Sequence, residues 1–343
     1  MKKYNVAILG ATGAVGQEFL KLIEERNFPF GELRLLASKR SEGKIINFMG
    51  KDYTVREAKS DSFAGIDIAL FAGGSGTKEF AAYAVESGAV VIDNSSAFRM
   101  DPEVPLVVPE VNPDAIAKHK GIIANPNCST IIMCMALKPI HDLAKIKRIV
   151  VSTYQAVSGA GKEGIDELEN QVKQYAAGQE MVANILPSAS LDKHYPIAFN
   201  LIPQVDVFID NDYTKEEMKM INETQKIFDD YDMKITATTI RVPVFRSHSE
   251  SINIELESAL TTDQIKQALA KFPGVTLQDD PKNMVYPMPL YTSDLDDVYV
   301  GRVRVDESQP NTYNLWAVGD QIRKGAALNT LQIAEVMIER GLI

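Results

Sequence analysis

The chain has 343 residues, 45% apolar and 24% charged, enough for two ordinary globular domains with sizeable cores. Thirty-six Lys and Arg against 46 Asp and Glu leave a formal net charge of -10, which excludes nucleic acid and anionic membranes as the main partners. A small anionic substrate needs only a local cluster of cations and stays open.

No apolar run reaches the ~18 residues that span a bilayer, and the opening Met1-Lys2-Lys3-Tyr4 leads into a strand with no signal-like segment. Two cysteines six residues apart and four scattered histidines form no zinc spacing and no disulfide framework. The expectation is a cytoplasmic protein without a metal site.

Tyr4 to Leu9 is a nearly continuous apolar run, as in a buried parallel strand. Gly10-Ala11-Thr12-Gly13-Ala14-Val15-Gly16 follows, and then a helical pattern through Phe19, Leu20 and Ile23. A glycine turn between strand and helix lets backbone N–H groups approach a pyrophosphate at the helix N-terminus. Its G-x-x-G-x-x-G spacing differs from the usual G-x-G-x-x-G, and a plain strand-to-helix turn is the alternative. The next strand, Leu33 to Ala37, ends in Ser38-Lys39-Arg40-Ser41. A site for NAD places an acidic residue here to bind the ribose 2′-hydroxyl. Two cations and two hydroxyls suit a 2′-phosphate instead, so NADP is the expected cofactor.

Further strands are read at Asp67–Ala72, before Gly73-Gly74-Ser75-Gly76, and at Ala89–Asp93, before Asn94-Ser95-Ser96-Ala97-Phe98-Arg99. A helix from Thr77 to Ser87 separates them. Each loop follows the carboxyl end of a strand, where open α/β sheets bind ligands. Residues 1–128 thus read as an α/β, Rossmann-like, doubly wound parallel sheet.

That sheet ends at Gly121–Ala124, followed by Asn125-Pro126-Asn127-Cys128-Ser129-Thr130 and a buried helix from Ile131 to Leu143. Ser129 and Thr130 are available to cap its first turn. A thiol at a helix N-terminus feels partial positive charge that favours the thiolate, the form that attacks carbon. A cysteine can equally be a small buried hydrophobe. Cys134, inside the apolar helix, fits that second description; Cys128, in a tight turn between asparagines, does not.

Beyond the helix the pattern changes. A strand-like run from Ile146 to Val157 carries Gln155, a turn occupies Ser158-Gly159-Ala160-Gly161, and Lys162 to Ala176 is a polar helix. Residues 200–208 read as irregular or strand, and Thr214 caps a helix running to Phe228 with Glu216 and Glu217 in its first turn. Strands are expected at Ile235–Phe245, Ser251–Glu257, Tyr299–Asp306 and Thr312–Val318, with a helix at Thr261–Lys271. Residues 129–323 therefore read as an α+β domain on a mixed or antiparallel sheet. The last helix, Lys324 to Arg340, is expected to complete the first domain, through residue 343.

His248, in Arg241-Val242-Pro243-Val244-Phe245-Arg246-Ser247-His248-Ser249, is the one base candidate; its ordinary pKa near 6.5 suits proton transfer, although a lone histidine is more often a satisfied structural residue. A thiol, a histidine and a nicotinamide site point to one chemistry. The thiolate adds to an aldehyde, the thiohemiacetal loses hydride to the cofactor, and phosphate or water releases the resulting thioester.

With these motifs in order, GATGAVG, KRS, DNSSAFR, NPNCST, Q-x-V-S-G-x-G, E-x-x-K and R-V-P-V-x-x-x-H-S, the chain resembles, end to end, the aspartate-β-semialdehyde dehydrogenases, in the form common in Gram-positive bacteria. The resemblance implies reversible, NADPH-dependent conversion of L-4-aspartyl phosphate into L-aspartate 4-semialdehyde and phosphate. That step leads to lysine and diaminopimelate, methionine, threonine and isoleucine. It implies Cys128 as acyl acceptor, His248 as acid/base and Gln155 as the residue orienting the intermediate. Arg241 would pair with the substrate carboxylate, for which a planar bidentate cation suits. Arg99 and Lys219 would hold phosphate, and Glu216 would meet the ammonium. Glu216 and Lys219, three apart, share a helix face, though an ordinary surface pair has the same spacing. Thr12, Gly13, Ala14, Val15, Arg40, Ser41, Ser158, Gly159 and Gln321 would contact NADP. Relatives pair through the second domain, implying a homodimer or tetramer. Thr239 departs from many relatives, which carry Cys there. The rivals are an N-acetyl-γ-glutamyl-phosphate reductase, whose substrate is longer and lacks the ammonium, and a catalytically silent NADP sensor.

Overall fold

The computed structural model describes residues 2–74 and 76–343; Met1, and Ser75 of the second glycine-rich loop, lie outside the described residues. In chain order the elements are β1 (Tyr4–Leu9), α1 (Ala14–Glu25), β2 (Phe30–Ala37), β3 (Ile45–Phe48), β4 (Lys51–Thr54), β5 (Arg56–Glu57), β6 (Ile68–Phe71), α2 (Thr77–Glu86), β7 (Val90–Asp93) and β8 (Ile122–Ala124). There follow α3 (Cys128–His141), β9 (Ile146–Gln155), α4 (Lys162–Ala176), α5 (Lys215–Phe228), β10 (Lys234–Arg241), β11 (His248–Leu256), α6 (Thr262–Lys271) and β12 (Val275–Leu277). The chain ends with α7 (Pro289–Thr292), β13 (Val298–Val305), β14 (Thr312–Gly319) and α8 (Leu328–Glu339). They form two compact units, Met1–Asn127 with Ala326–Ile343, and Cys128–Gly325.

The first unit is built on an all-parallel sheet in the order β5-β2-β1-β6-β7-β8. The order reverses at β1 and β6, the switch point beside which such sheets bind dinucleotides. Alternate residues of a strand point to opposite faces. Val6 and Ile8 accordingly join a core with Phe19, Leu331 and Met337 from α1 and α8, whereas Ala7 and Leu9 join one with Ala81 and Ala84 from α2. The β3–β4 hairpin, β5 and β12 were not expected from the sequence. The hairpin turns on Met49 and Gly50, both at positive φ, and methionine in that region is no recognisable turn signal.

The second unit carries a mixed sheet in the order β10-β9-β11-β14-β13-β12. β10 pairs β9 and β12 pairs β13 in parallel; the inner pairings are antiparallel. The apolar α3 packs on β9, β11, β13 and β14, flanked by α5 and α6.

Several boundaries differ from the sequence reading. Cys128 is itself the first residue of α3, so Ser129 and Thr130 lie within the first turn and not at its cap. β10 stops at Arg241, before Pro243, and β11 starts at His248, which pairs with Gly319. The final helix starts at Leu328, after a π turn over Arg323–Ala327. Among the described residues, no helix is long and apolar enough to cross a membrane, and no group of three or more His, Cys, Asp or Glu could hold a metal.

Candidate active site

The site is assembled on strand ends of the second unit. Parallel pairing of β10 with β9 sets Arg241 opposite Gln155, and antiparallel pairing of β11 with β9 carries His248 to the same end of the sheet. Cys128, half-buried, opens α3, and the neighbouring Ser129 hydroxyl accepts a hydrogen bond from Gln155 Nε2 at 2.9 Å. Gln155 also donates to Glu216 Oε1 at 3.3 Å.

Arg241 is 4% exposed. Its Nη1 donates to the Ala156 carbonyl at 2.7 Å, while Nε has no hydrogen-bond partner among the described residues. Burial lowers its pKa from the usual guanidinium value; the charges of Glu216 and Cys128 act the other way. A buried guanidinium with an unused donor is suited to an incoming carboxylate.

His248 is fully buried, although Arg246, Ser247 and Ser249 flank it in the sequence. Its Nδ1 accepts from the Ala156 N–H at 3.0 Å, and Nε2 has no partner among the described residues. An accepting Nδ1 fixes the neutral ring with its proton on Nε2. Burial, and then the Arg241 charge, push the imidazole pKa well below 6.5, so the ring is neutral near pH 7.

Gly159 is what lets these two side chains meet. A Cβ there would lie 2.7 Å from Arg241 Nη1 and 3.3 Å from His248 Nε2. Ser158 Oγ accepts from Gln321 Nε2, and Gln321 Oε1 accepts from the N–H of Ser247, the residue before His248. Gly325 does the same for the thiol: a Cβ there would stand 2.9 Å from Cys128 Cβ. Sequence reasoning missed Gly325, although a glycine within a helical pattern is a usable sign of close approach. It also missed Ser129 and Asp206.

Glu216 and Lys219 are tied together on α5. Lys219 Nζ lies 3.1 Å from Glu216 Oε2 and 2.9 Å from Asp206 Oδ2. Burial works against the lysine charge, but Glu216 and Asp206 outweigh it and raise the pKa. The helix start that carries them is held by a capping box between Thr214 and Glu217. Glu217 Oε1 also accepts from the Thr239 N–H at 2.9 Å, and the Thr239 hydroxyl lies 3.4 Å from that of Thr214. Threonine at 239 thus belongs to the support of α5.

Thr12, Gly13, Ala14, Val15, Arg40, Ser41 and Arg99 lie in the first unit. Gly10 is at φ +86, Gly13 occupies the N-cap of α1 without a side-chain bond, and a Cβ on Gly16 would stand 2.3 Å from the Gly10 carbonyl oxygen. Strand and helix therefore approach as closely as a dinucleotide turn requires. Thr12 Oγ1 donates to Ser41 Oγ at 3.3 Å, which sets the turn beside the exposed Lys39 and Arg40. Arg99 is buried, its Nε donating to the Asn125 carbonyl at 2.9 Å and its Nη2 to that of Asn94 at 2.7 Å.

A nucleotide-type parallel sheet and a thiol site on a mixed sheet define a two-part dehydrogenase. The family described as semialdehyde dehydrogenase, NAD binding domain, matches residues 5–119, and semialdehyde dehydrogenase, dimerisation domain, matches 137–324. Aspartate-semialdehyde dehydrogenase of Aquifex aeolicus is 56% identical, with 99% of each chain covered, and that of Bacillus subtilis 52%, again with 99% of each covered. The solved aspartate semialdehyde dehydrogenase II of Vibrio cholerae, complexed with ASA, superposes with a TM-score of 0.94 at 47% identity and 99% coverage of both chains. The chain belongs to the aspartate-semialdehyde dehydrogenase family.

Proposed function

We propose that this chain catalyses the reversible, NADPH-dependent reductive dephosphorylation of L-4-aspartyl phosphate to L-aspartate 4-semialdehyde and phosphate, within lysine and diaminopimelate, methionine, threonine and isoleucine biosynthesis. The observation that carries the reading is the meeting of Arg241 and His248 over Gly159, with Gln155 bonded both to Ser129, beside Cys128, and to Glu216. It is the set of groups that an amino-acid acyl phosphate needs around a thiol.

Cys128 Sγ displaces phosphate from the acyl carbon and carries the acyl group as a thioester. Arg241 takes the α-carboxylate on its unused donor, and Glu216 takes the ammonium. Gln155, held by Ser129, orients the acyl group; Lys219 and Arg99 receive the phosphate. His248 donates from Nε2 to the substrate oxygen, the acid half of its role. Accepting a proton there requires the other tautomer and the loss of its bond to Ala156.

In the first unit, Thr12 to Val15, Arg40 and Ser41 would hold NADP, with Ser158, Gly159 and Gln321 contributing from the second. When bound, it supplies hydride exchange at the substrate carbon. The glycine cradle fits a pyrophosphate, and Lys39 and Arg40 fit a 2′-phosphate.

The 129–323 region serves catalysis and pairing of a homodimer or tetramer, and 1–128 with 324–343 serves the cofactor. We assign the chain to the form common in Gram-positive bacteria on its motifs; the relatives of similar identity come from Aquifex and Vibrio as well as Bacillus. A cytoplasmic setting accords with this metabolic role.

The test is NADP⁺ reduction by purified protein with L-aspartate semialdehyde, with and without phosphate. Phosphate-dependent NADPH formation, absent with N-acetylglutamate semialdehyde, is expected. Activity with the longer aldehyde alone would replace the assignment by the rival reductase.

A further inference from the structure

The fully buried Asp320 stands one residue beyond β14, whose last residue Gly319 pairs with His248. Both carboxylate oxygens are engaged. Oδ1 accepts from the N–H groups of Ile322 at 2.9 Å and Arg323 at 3.1 Å; Oδ2 accepts from the Asp294 N–H at 2.7 Å and lies 2.6 Å from Arg246 Nε. Arg246 is further paired with Asp294 at 2.8 Å.

Three segments thus meet on one carboxylate, and two of them lead to the reacting groups. Arg246 is two residues before His248. Between them Ser247 sits at φ +71, a left-handed conformation that serine does not prefer and that its surroundings must hold. The Ser247 N–H donates to Gln321 Oε1 at 2.9 Å, from the residue following Asp320. On the other side, the Asp320 carbonyl accepts from the Gly325 N–H at 3.1 Å, and Gly325 is the glycine pressed against Cys128.

We propose that Asp320 is a positioning residue for the reaction: its carboxylate, paired with Arg246, steadies the strained entry to His248, and by holding the 322–323 backbone it fixes the turn that presses Gly325 against Cys128. A carboxylate is required because three backbone N–H donors and a paired guanidinium converge on it. An amide would turn its NH₂ toward either backbone donors or the guanidinium. This inference rests on the functional reading above only for the identity of the substrate; the thiol and histidine can be followed without it.

The test compares Asp320→Asn and Arg246→Lys with the wild type. Displacing a reacting group by about 1 Å lowers turnover on the order of 100-fold. Asp320→Asn is therefore expected to lose about that factor in kcat, with KM for the aldehyde and the Kd for NADP⁺ unchanged. Arg246→Lys, which keeps a cation but loses the Nε arm, is expected to show the same split with a smaller loss. In parallel, the pH profile of Cys128 alkylation by iodoacetamide is recorded without substrate, and it is expected to shift in both variants.

Because alkylation needs no turnover, it still reads the positioning role if the wild type proves inactive on aspartate semialdehyde, an outcome that sinks the functional reading alone. Wild-type kcat and an unmoved alkylation profile in Asp320→Asn would overturn the proposal. So would a uniform loss of kcat, KM, NADP⁺ binding and thermal stability in a folded Arg246→Lys, which marks a merely structural role.

Discussion

Cys128 and Cys134 share α3 but not an environment. Cys134 is fully buried, which pushes its thiol pKa up, opposed only by the Thr224 hydroxyl; nearby Glu250 and Glu223 push it further. Cys128 is half-buried at the helix start, where the peptide dipoles favour an anion. Cys128→Ser is expected to lower turnover by several orders of magnitude, as loss of a nucleophile does, while leaving NADP⁺ binding intact. Steady-state rates and a cofactor fluorescence titration check both halves. Substantial residual turnover would remove Cys128 as nucleophile.

Glu250 offers a second test at this scale. It is fully buried on β11, neither carboxylate oxygen has a hydrogen-bond partner among the described residues, and burial pushes its pKa well above 4.5. In the unfolded chain it ionises near 4.5, whereas the folded chain keeps the proton to higher pH. Stability therefore falls as pH rises above 4.5, until the folded group ionises too. Glu250→Gln is expected to be silent at pH 4 and progressively stabilising above it, read from urea midpoints across pH. A variant equally destabilised at every pH would mean that the carboxyl has a partner it needs. His248 has the opposite slope: its depressed pKa costs stability as pH falls below 6.5.

Among elements, α5 shows how a site is carried by its support. Thr214 Oγ1 accepts the Glu217 N–H at 3.2 Å, and Glu217 Oε2 accepts the Thr214 N–H at 2.7 Å, which together set where Glu216 and Lys219 project. Thr214→Ala should cost about 1–2 kcal/mol and raise KM for the aldehyde more than it lowers kcat. Denaturant unfolding and initial rates measure the two effects, and an unchanged unfolding midpoint would dismiss the cap. This helix start was legible in the sequence because a capping box is a local pattern of hydroxyl and carboxylate. The β3–β4 hairpin was not, because its stability comes from pairing and not from turn chemistry. The start of α3 was misjudged by a few residues for a related reason: Asn127, Ser129 and Thr130 offer several caps, and only the packed helix selects its start.

At the scale of the molecule, the first unit is closed by the far end of the chain. Leu328, Leu331, Ile333 and Met337 of α8 are buried in the core that includes Val6, Ile8 and Phe19. Four such side chains at roughly 1.5–3 kcal/mol each rival the net stability of an ordinary domain, about 5–15 kcal/mol. A chain ending at residue 325 is expected to lose hydrogen-exchange protection in β1 and β6 while retaining it in β9 and β11. Protection persisting in β1 would show that α8 is dispensable.

The sequence by itself determined the alternation of strands and helices, the glycine turn and the thiol at a helix start, since each is written in neighbouring residues; His248 was singled out by its neighbours, and Arg241 by the family resemblance alone. It could not determine the burial of His248, the accepting role of its Nδ1, the Gly159 and Gly325 contacts or the engagement of Asp320. Those depend on which strands pair and in what register, and the partners come from segments tens to hundreds of residues apart. Only the folded sheet brings them within hydrogen-bonding distance, and only burial then sets their charge.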